Sequence, residues 1–123
     1  MGRRILVAED EPHIRRILLA LLESAEFDVD VAVDGRQALE RIASPEMYDL
    51  ILTDLMMPHH TGLDLLKEIQ GMVHRRTTPV IMLTAKGQDA DRQLAAALGA
   101  RDFITKPFSP KKLLARIHEL LDD

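Results

Sequence analysis

Four short apolar runs in this chain each stop on a polar residue. Ile5-Leu6-Val7-Ala8 ends at Glu9-Asp10, Leu50-Ile51-Leu52-Thr53 at Asp54, Val80-Ile81-Met82-Leu83 at Thr84, and Phe103-Ile104-Thr105 at Lys106. Stretches of helical period separate the runs, and this alternation points to βα units around a parallel sheet. If the runs are strands of one sheet, their polar ends meet at one edge. Three carboxylates, a hydroxyl and an ammonium then share a pocket.

The segments between the runs support this reading. Ile14, Ile17, Leu18, Leu21, Leu22 and Ala25 recur at helical spacing behind Pro12, which suits a first helical turn. Phe27, Val29, Val31 and Val33 alternate with Asp28, Asp30 and Ala32, the pattern of a half-wet edge strand. Asp34-Gly35-Arg36-Gln37 reads as a helix start in which Gln37 reaches back as in a capping box. Thr61 is placed to cap a helix carrying Leu63, Leu65, Leu66 and Ile69. Pro79 opens a fourth strand, a helix over about 89–98 stops at Gly99, and Ser109-Pro110 starts a last helix. Five βα units with short, right-handed connections make a doubly wound α/β sheet with helices on both faces. In such sheets ligands bind beyond the carboxyl ends of the strands, where the polar residues fall.

Composition narrows the function classes. A chain of 123 residues with 46% apolar content is one domain, residues 1–123, with one core. No run of about 18 apolar residues is present, so a membrane span is not expected. Cysteine is absent, which makes a reducing cytoplasm the default setting. A formal charge of −4 argues against direct contact with nucleic acid.

Packed carboxylates repel, so either a proton is shared or a cation neutralises them. The candidate ligands are hard oxygens with no Cys or adjacent His at ligand spacing, which selects Mg²⁺, Mn²⁺ or Ca²⁺ over Zn²⁺. Mg²⁺ suits a small acidic cup that also receives a phosphate. A carboxylate can itself be a nucleophile and form an aspartyl phosphate, with Lys106 and a cation neutralising the phosphoryl oxygens and Thr84 donating a hydrogen bond.

These same residues carry a family resemblance. From Ile5-Leu6-Val7-Ala8-Glu9-Asp10-Glu11-Pro12 to the last helix, through Asp54-Leu55-Met56-Met57-Pro58, Thr84-Ala85 and Lys106-Pro107-Phe108, the chain resembles a receiver domain of the two-component response regulators. The resemblance implies the flavodoxin-like strand order 2-1-3-4-5 with five helices. It implies that Asp54 accepts a phosphoryl group from a sensor histidine kinase or phosphotransfer protein, with catalytic help from Thr84 and Lys106. Mg²⁺ would be held by Glu9, Asp10, Asp54 and the Met56 carbonyl. Thr84 and Phe103 would be the switch residues, and the bond before Pro107 would be cis. Such a domain is not a conventional enzyme; it partly catalyses its own phosphorylation and dephosphorylation and signals to an effector protein or an output domain missing from this chain. The run Phe103 to Pro110, with Leu113-Leu114-Ala115-Arg116-Ile117, is similar to regulators carrying a winged-helix DNA-binding domain. In that class Arg92 pairs between chains with an acid at the position of Lys112, so a monomer or weak homodimer is expected here.

Other readings exist. A haloacid-dehalogenase-type phosphohydrolase also uses an Asp nucleophile, but wants a second Asp two residues on, where Met56 stands. A flavin carrier wants a Ser/Thr/Gly-rich loop where Glu9-Asp10-Glu11 stands. A degenerate, binding-only receiver would not need the acid set. His59-His60 and Arg75-Arg76 read as solvated loops, and His13, His74 and His118 as exposed residues without partners. The methionines read as core or pocket rim. The alanine-rich helix over about 89–98 buries little area and is expected to be loosely packed.

Overall fold

A computed structural model describes residues 2–85 and 89–121. Five parallel strands, β1 (Arg4–Ala8), β2 (Asp28–Ala32), β3 (Leu50–Asp54), β4 (Val80–Thr84) and β5 (Asp102–Thr105), lie in the order β2-β1-β3-β4-β5. Helices α1 (Pro12–Ser24), α2 (Gly35–Ala43), α3 (Gly62–Gln70), α4 (Asp89–Ala97) and α5 (Pro110–Leu121) connect them, with a short 3₁₀ turn at Val73–Arg75. The expected flavodoxin-like, doubly wound architecture is therefore present.

Alternate residues of each strand point to opposite faces, so each face has its own core. Leu18 and Leu22 of α1 and Leu113, Ile117 and Leu121 of α5 cover Ile5, Val7, Leu50, Leu52, Ile81 and Leu83. The second face carries α2, α3 and α4, which pack Ala38, Ile42, Leu65, Leu66, Ile69 and Ala95 on Leu6, Ala8, Ile51, Val80 and Met82. Every residue of β3 and β4 is buried, whereas β2 at the sheet edge buries only Ala32. Ala95 is the one buried residue of α4, as its alanine content leads one to expect.

The helix ends follow local chemistry. Glu11 caps α1 by accepting from the His13 and Ile14 N–H groups, with Pro12 in the first turn. Thr61 and Asp64 form a reciprocal capping box on α3. Asp34 caps α2 through the Gln37 N–H, but the Gln37 side chain reaches one residue further back than a capping box and accepts from Val33 N–H at 3.1 Å. After α4 the chain turns at Gly99 with φ +102, a conformation that glycine adopts without strain. Gly35 serves a different need: a Cβ there would overlap the His60 backbone, so glycine lets α2 start directly against the loop after β3.

Arg75 corrects the expectation of a solvated loop. It is 0% exposed, and its Nε donates to the Ile42 carbonyl at 2.8 Å. Its Nη2 donates to the carbonyls of Ser44 at 3.0 Å, Arg41 at 3.4 Å and Glu46, and the guanidinium lies 5.0 Å over the Tyr48 ring. Residues from the 3₁₀ turn thereby close the carboxyl end of α2, whose last carbonyls lack helical partners. Arg76 is exposed, as expected. Two histidines also have partners: His74 Nε2 lies 3.1 Å from the Ser44 carbonyl, and His118 packs on Phe27 with ring centroids 5.5 Å apart.

Arg75→Met keeps the stem and removes every donor to those carbonyls. It should cost roughly 2–4 kcal/mol in urea denaturation, and Arg75→Lys should recover less than half, because an ammonium is a single point donor. A loss below about 1 kcal/mol would show that the carbonyls find other donors.

Candidate functional site

The strand register brings the polar ends together. Ala8 pairs with Thr53, so Glu9 and Asp54 leave the sheet side by side. Asp54 pairs with Leu83, and Thr84 with Thr105, so Thr84 and then Lys106 follow at the same edge. Oxygen atoms from Glu9, Asp10 and Asp54 all lie within 4.8 Å of one another. Met56, Thr84 and Ala85 line a cleft of about 340 Å³ together with Asp54. The Lys106–Pro107 bond is cis.

Lys106 is the hub of the cluster. Its Nζ donates to Glu9 Oε1 at 2.7 Å and to Asp54 Oδ2 at 2.9 Å. Its amide donates to the Thr84 carbonyl at 2.7 Å, which ties the end of β5 to β4. Burial pulls the ammonium toward its neutral form, but the two carboxylates outweigh burial and hold its pKa above the usual lysine value. Glu9 is 1% exposed and Asp54 7%. Burial pushes the Glu9 carboxyl from 4.5 up to about 7; Lys106 and the Glu11 N–H oppose that push, and nearby Asp54 adds to it. Glu9 Oε2 accepts from the Glu11 N–H at 3.1 Å.

Phe103 stands apart from this cleft. It pairs with Met82 in the sheet, is 7% exposed, and lies under Arg92 of α4, whose guanidinium is 4.8 Å from the ring and donates to the Phe103 carbonyl at 3.1 Å. His59 and His60 sit in the loop after β3. His59 takes a left-handed conformation, φ 75, and is exposed.

Sequence reasoning missed Arg15. Its Nη1 donates to the carbonyl of Glu9 at 2.9 Å and to that of Asp10 at 3.4 Å. The one available signal was a long cation in the first turn of the helix that follows a strand-end acid pair.

The donor set suits a hard divalent cation. All candidate side-chain donors are carboxylate oxygens, they converge at the strand ends, and one of them is held partly protonated near neutral pH by burial and a neighbouring acid. Without a cation, the folded chain holds a proton on Glu9 that the unfolded chain has lost between about pH 4.5 and 7. Ion-free stability should therefore fall, through the Glu9 contribution, as pH rises across that window. Thermal unfolding of wild type and Glu9→Gln in EDTA measures it: the stability of wild type relative to the variant should decline from pH 4.5 to 7 and level off above. A difference that does not change with pH would remove Glu9 from the proton balance.

Comparison with known proteins matches this geometry. Residues 5–118 match the family model described as the response regulator receiver domain. Over 118 residues, 96% of this chain, it is 42% identical to the response regulator ArlR of Staphylococcus saprophyticus and 44% identical to the transcriptional regulatory protein CpxR of Escherichia coli, covering 52% and 49% of those proteins. It thus spans about half the length of the curated relatives it matches. The Francisella response regulator 1452 receiver domain superposes with a TM-score of 0.89 at 34% identity, over 98% of both chains. The receiver domain of the sensor histidine kinase PA1611 of Pseudomonas aeruginosa, solved with a magnesium ion in its active site cleft, superposes with a TM-score of 0.90 at 30% identity, over 100% of both chains. A strand-end acid cluster bridged by one lysine, on a β2-β1-β3-β4-β5 sheet that superposes on such domains along nearly its whole length, makes this chain a member of the response-regulator receiver family.

Proposed function

We propose that this receiver domain accepts a phosphoryl group on Asp54 and thereby acts as a phosphorylation-dependent signalling switch. The observation that carries the reading is that Lys106 bridges Asp54 and Glu9, with an Asp10 oxygen within 4.8 Å of theirs, and that Asp54 lines a cleft together with Thr84. A phosphohistidine of a sensor kinase or phosphotransfer protein is the donor. An Asp54 oxygen bonds to phosphorus as the P–N bond breaks, and the electron pair leaves with the imidazole, which takes up a proton. Lys106 bonds Asp54 Oδ2 and holds the carboxylate in place before transfer, and afterwards its ammonium balances the added negative charge. Thr84, 1% exposed, supplies a hydroxyl beside the phosphoryl oxygens. Glu9, Asp10, Asp54 and the Met56 carbonyl would hold Mg²⁺, which supplies charge neutralisation for the phosphoryl oxygens. Phe103 and α4 are the elements whose rearrangement presents a changed surface to an effector or output domain.

The chain reads as cytoplasmic, and no helix among the described residues is long and apolar enough to cross a membrane. Nucleic acid is not contacted by this domain directly. On the face formed by α4, β5 and α5, Arg92 is engaged with Phe103, and Arg116 pairs with Asp102 at 2.8 Å within the chain. Charges spent internally support a monomer or weak homodimer.

Intact mass after incubation with acetyl phosphate and Mg²⁺ tests the acceptor. Wild type should gain one phosphoryl group that hydroxylamine removes, whereas Asp54→Asn, or wild type in EDTA, should gain none. Undiminished labelling of Asp54→Asn mapped to another residue would overturn the assignment. Sedimentation of the beryllofluoride form, in which beryllofluoride on Asp54 stands in for the phosphoryl group, tests pairing. Lys112→Glu should self-associate about 5- to 30-fold more tightly than wild type, since two exposed contacts change sign in a symmetric pair. Equal association would show that Lys112 does not limit it.

A further inference from the structure

We infer that Arg15 is a positioning residue for Asp10: it sets the direction in which that carboxylate leaves the backbone and so makes the acid cluster ready for a cation. The inference rests on reading Glu9, Asp10 and Asp54 as a divalent-cation site.

The three acids are not held alike. Glu9 is bound at both oxygens, by Lys106 Nζ at 2.7 Å and by the Glu11 N–H at 3.1 Å. Asp54 is bound by Lys106 at 2.9 Å. No group among the described residues bonds the Asp10 carboxylate, although its oxygen lies within 4.8 Å of those of the other two. Its aim depends on its own backbone. Arg15 acts there. The Glu9 and Asp10 carbonyls belong to the two peptide planes that flank the Asp10 Cα. A residue has only two soft backbone dihedrals, and holding both planes fixes both of them. Arg15 Nη1 binds both carbonyls, at 2.9 and 3.4 Å.

The clamp has a firm base. The Arg15 amide donates to the Glu11 carbonyl at 3.0 Å within the first turn of α1, and the Glu11 carboxylate bonds the His13 and Ile14 N–H groups. A guanidinium rooted on a capped helix can hold a loop more precisely than the loop holds itself. Lysine is shorter in its donor reach and lacks the planar fork.

Two physical roles for Arg15 predict opposite signs. As a nearby positive charge it would repel Mg²⁺, so its removal would tighten binding. As a clamp on Asp10 its removal weakens binding, and groups that orient metal ligands from outside the ligand set typically change affinity by about 10- to 100-fold. Isothermal titration with MgCl₂ on the full chain separates the two. Arg15→Met, which keeps the stem, should bind Mg²⁺ about tenfold more weakly than wild type, and Arg15→Lys, which keeps the charge, should also bind more weakly. The rise in melting temperature between EDTA and saturating Mg²⁺ gives a second readout at fixed metal concentration. If Arg15→Met fails to fold, Arg15→Gln takes its place. Unchanged or tighter Mg²⁺ binding in these variants, with Asp10→Asn clearly weakened, overturns the role of Arg15 and leaves the cation site standing. No Mg²⁺ binding by wild type removes the cation site, and the role of Arg15 with it.

Discussion

A single ammonium holds the carboxyl edge of this sheet together. Lys106, one residue past β5, lies between Glu9, one residue past β1, and Asp54 at the end of β3, and spans 97 residues of sequence to reach Glu9. Two buried carboxylates this close cost free energy unless a cation stands among them, because burial and mutual repulsion both disfavour their charged forms. The upward shift of Glu9 to about 7 is what remains of that conflict after Lys106 has acted. Such a cluster can exist only where the sheet register is correct. A slip of one residue in any strand would send its terminal polar side chain to the other face and its apolar residues out of the core.

The apolar strands and the polar edge are therefore one construction. β3 and β4 are buried along their whole length, so their polar residues are confined to the ends or must bond locally, as Thr53 does to the Asp54 carbonyl at 3.1 Å. Helices α1 and α5 cover one face with large aliphatic side chains. On the other face α4 contributes one buried alanine, and a polar tie from Arg92 to Phe103 does part of the work that apolar packing does elsewhere. Elements with few buried apolar contacts open at low free energy. A phosphorylation-dependent switch needs an element of that kind, adjoining a rigid site. In this molecule α4 borders β5, and β5 leads directly into Lys106.

The acid loop shows how function and fold share residues. Glu11 caps α1 with its carboxylate and orients Glu9 with its amide. Arg15 begins as an ordinary helical residue and ends bonded to the backbone of the two acids. Local helix chemistry thus supports the geometry of the two acids in the loop after β1.

The strands, helix caps and strand-end polar set were legible in the sequence because they depend on period, on local turn chemistry and on where apolar runs stop. Thr61, Asp34 and Pro12 act within one helical turn of themselves, so a linear reading reaches them. The family resemblance is carried by contiguous motifs, Asp54-Leu55-Met56-Met57-Pro58 and Lys106-Pro107-Phe108, which a linear reading also reaches. Arg75 and Arg15 were not legible. Each binds main-chain carbonyls, Arg75 across about thirty residues and Arg15 across five or six. Every residue has a carbonyl, so nothing in the side-chain order marks which ones need a donor. That need arises only when α2 stops against the 3₁₀ turn, or when the loop after β1 turns back over α1. The sequence determined which elements form and which polar groups gather at the sheet edge; tertiary packing decided which cations are buried, and what each one holds.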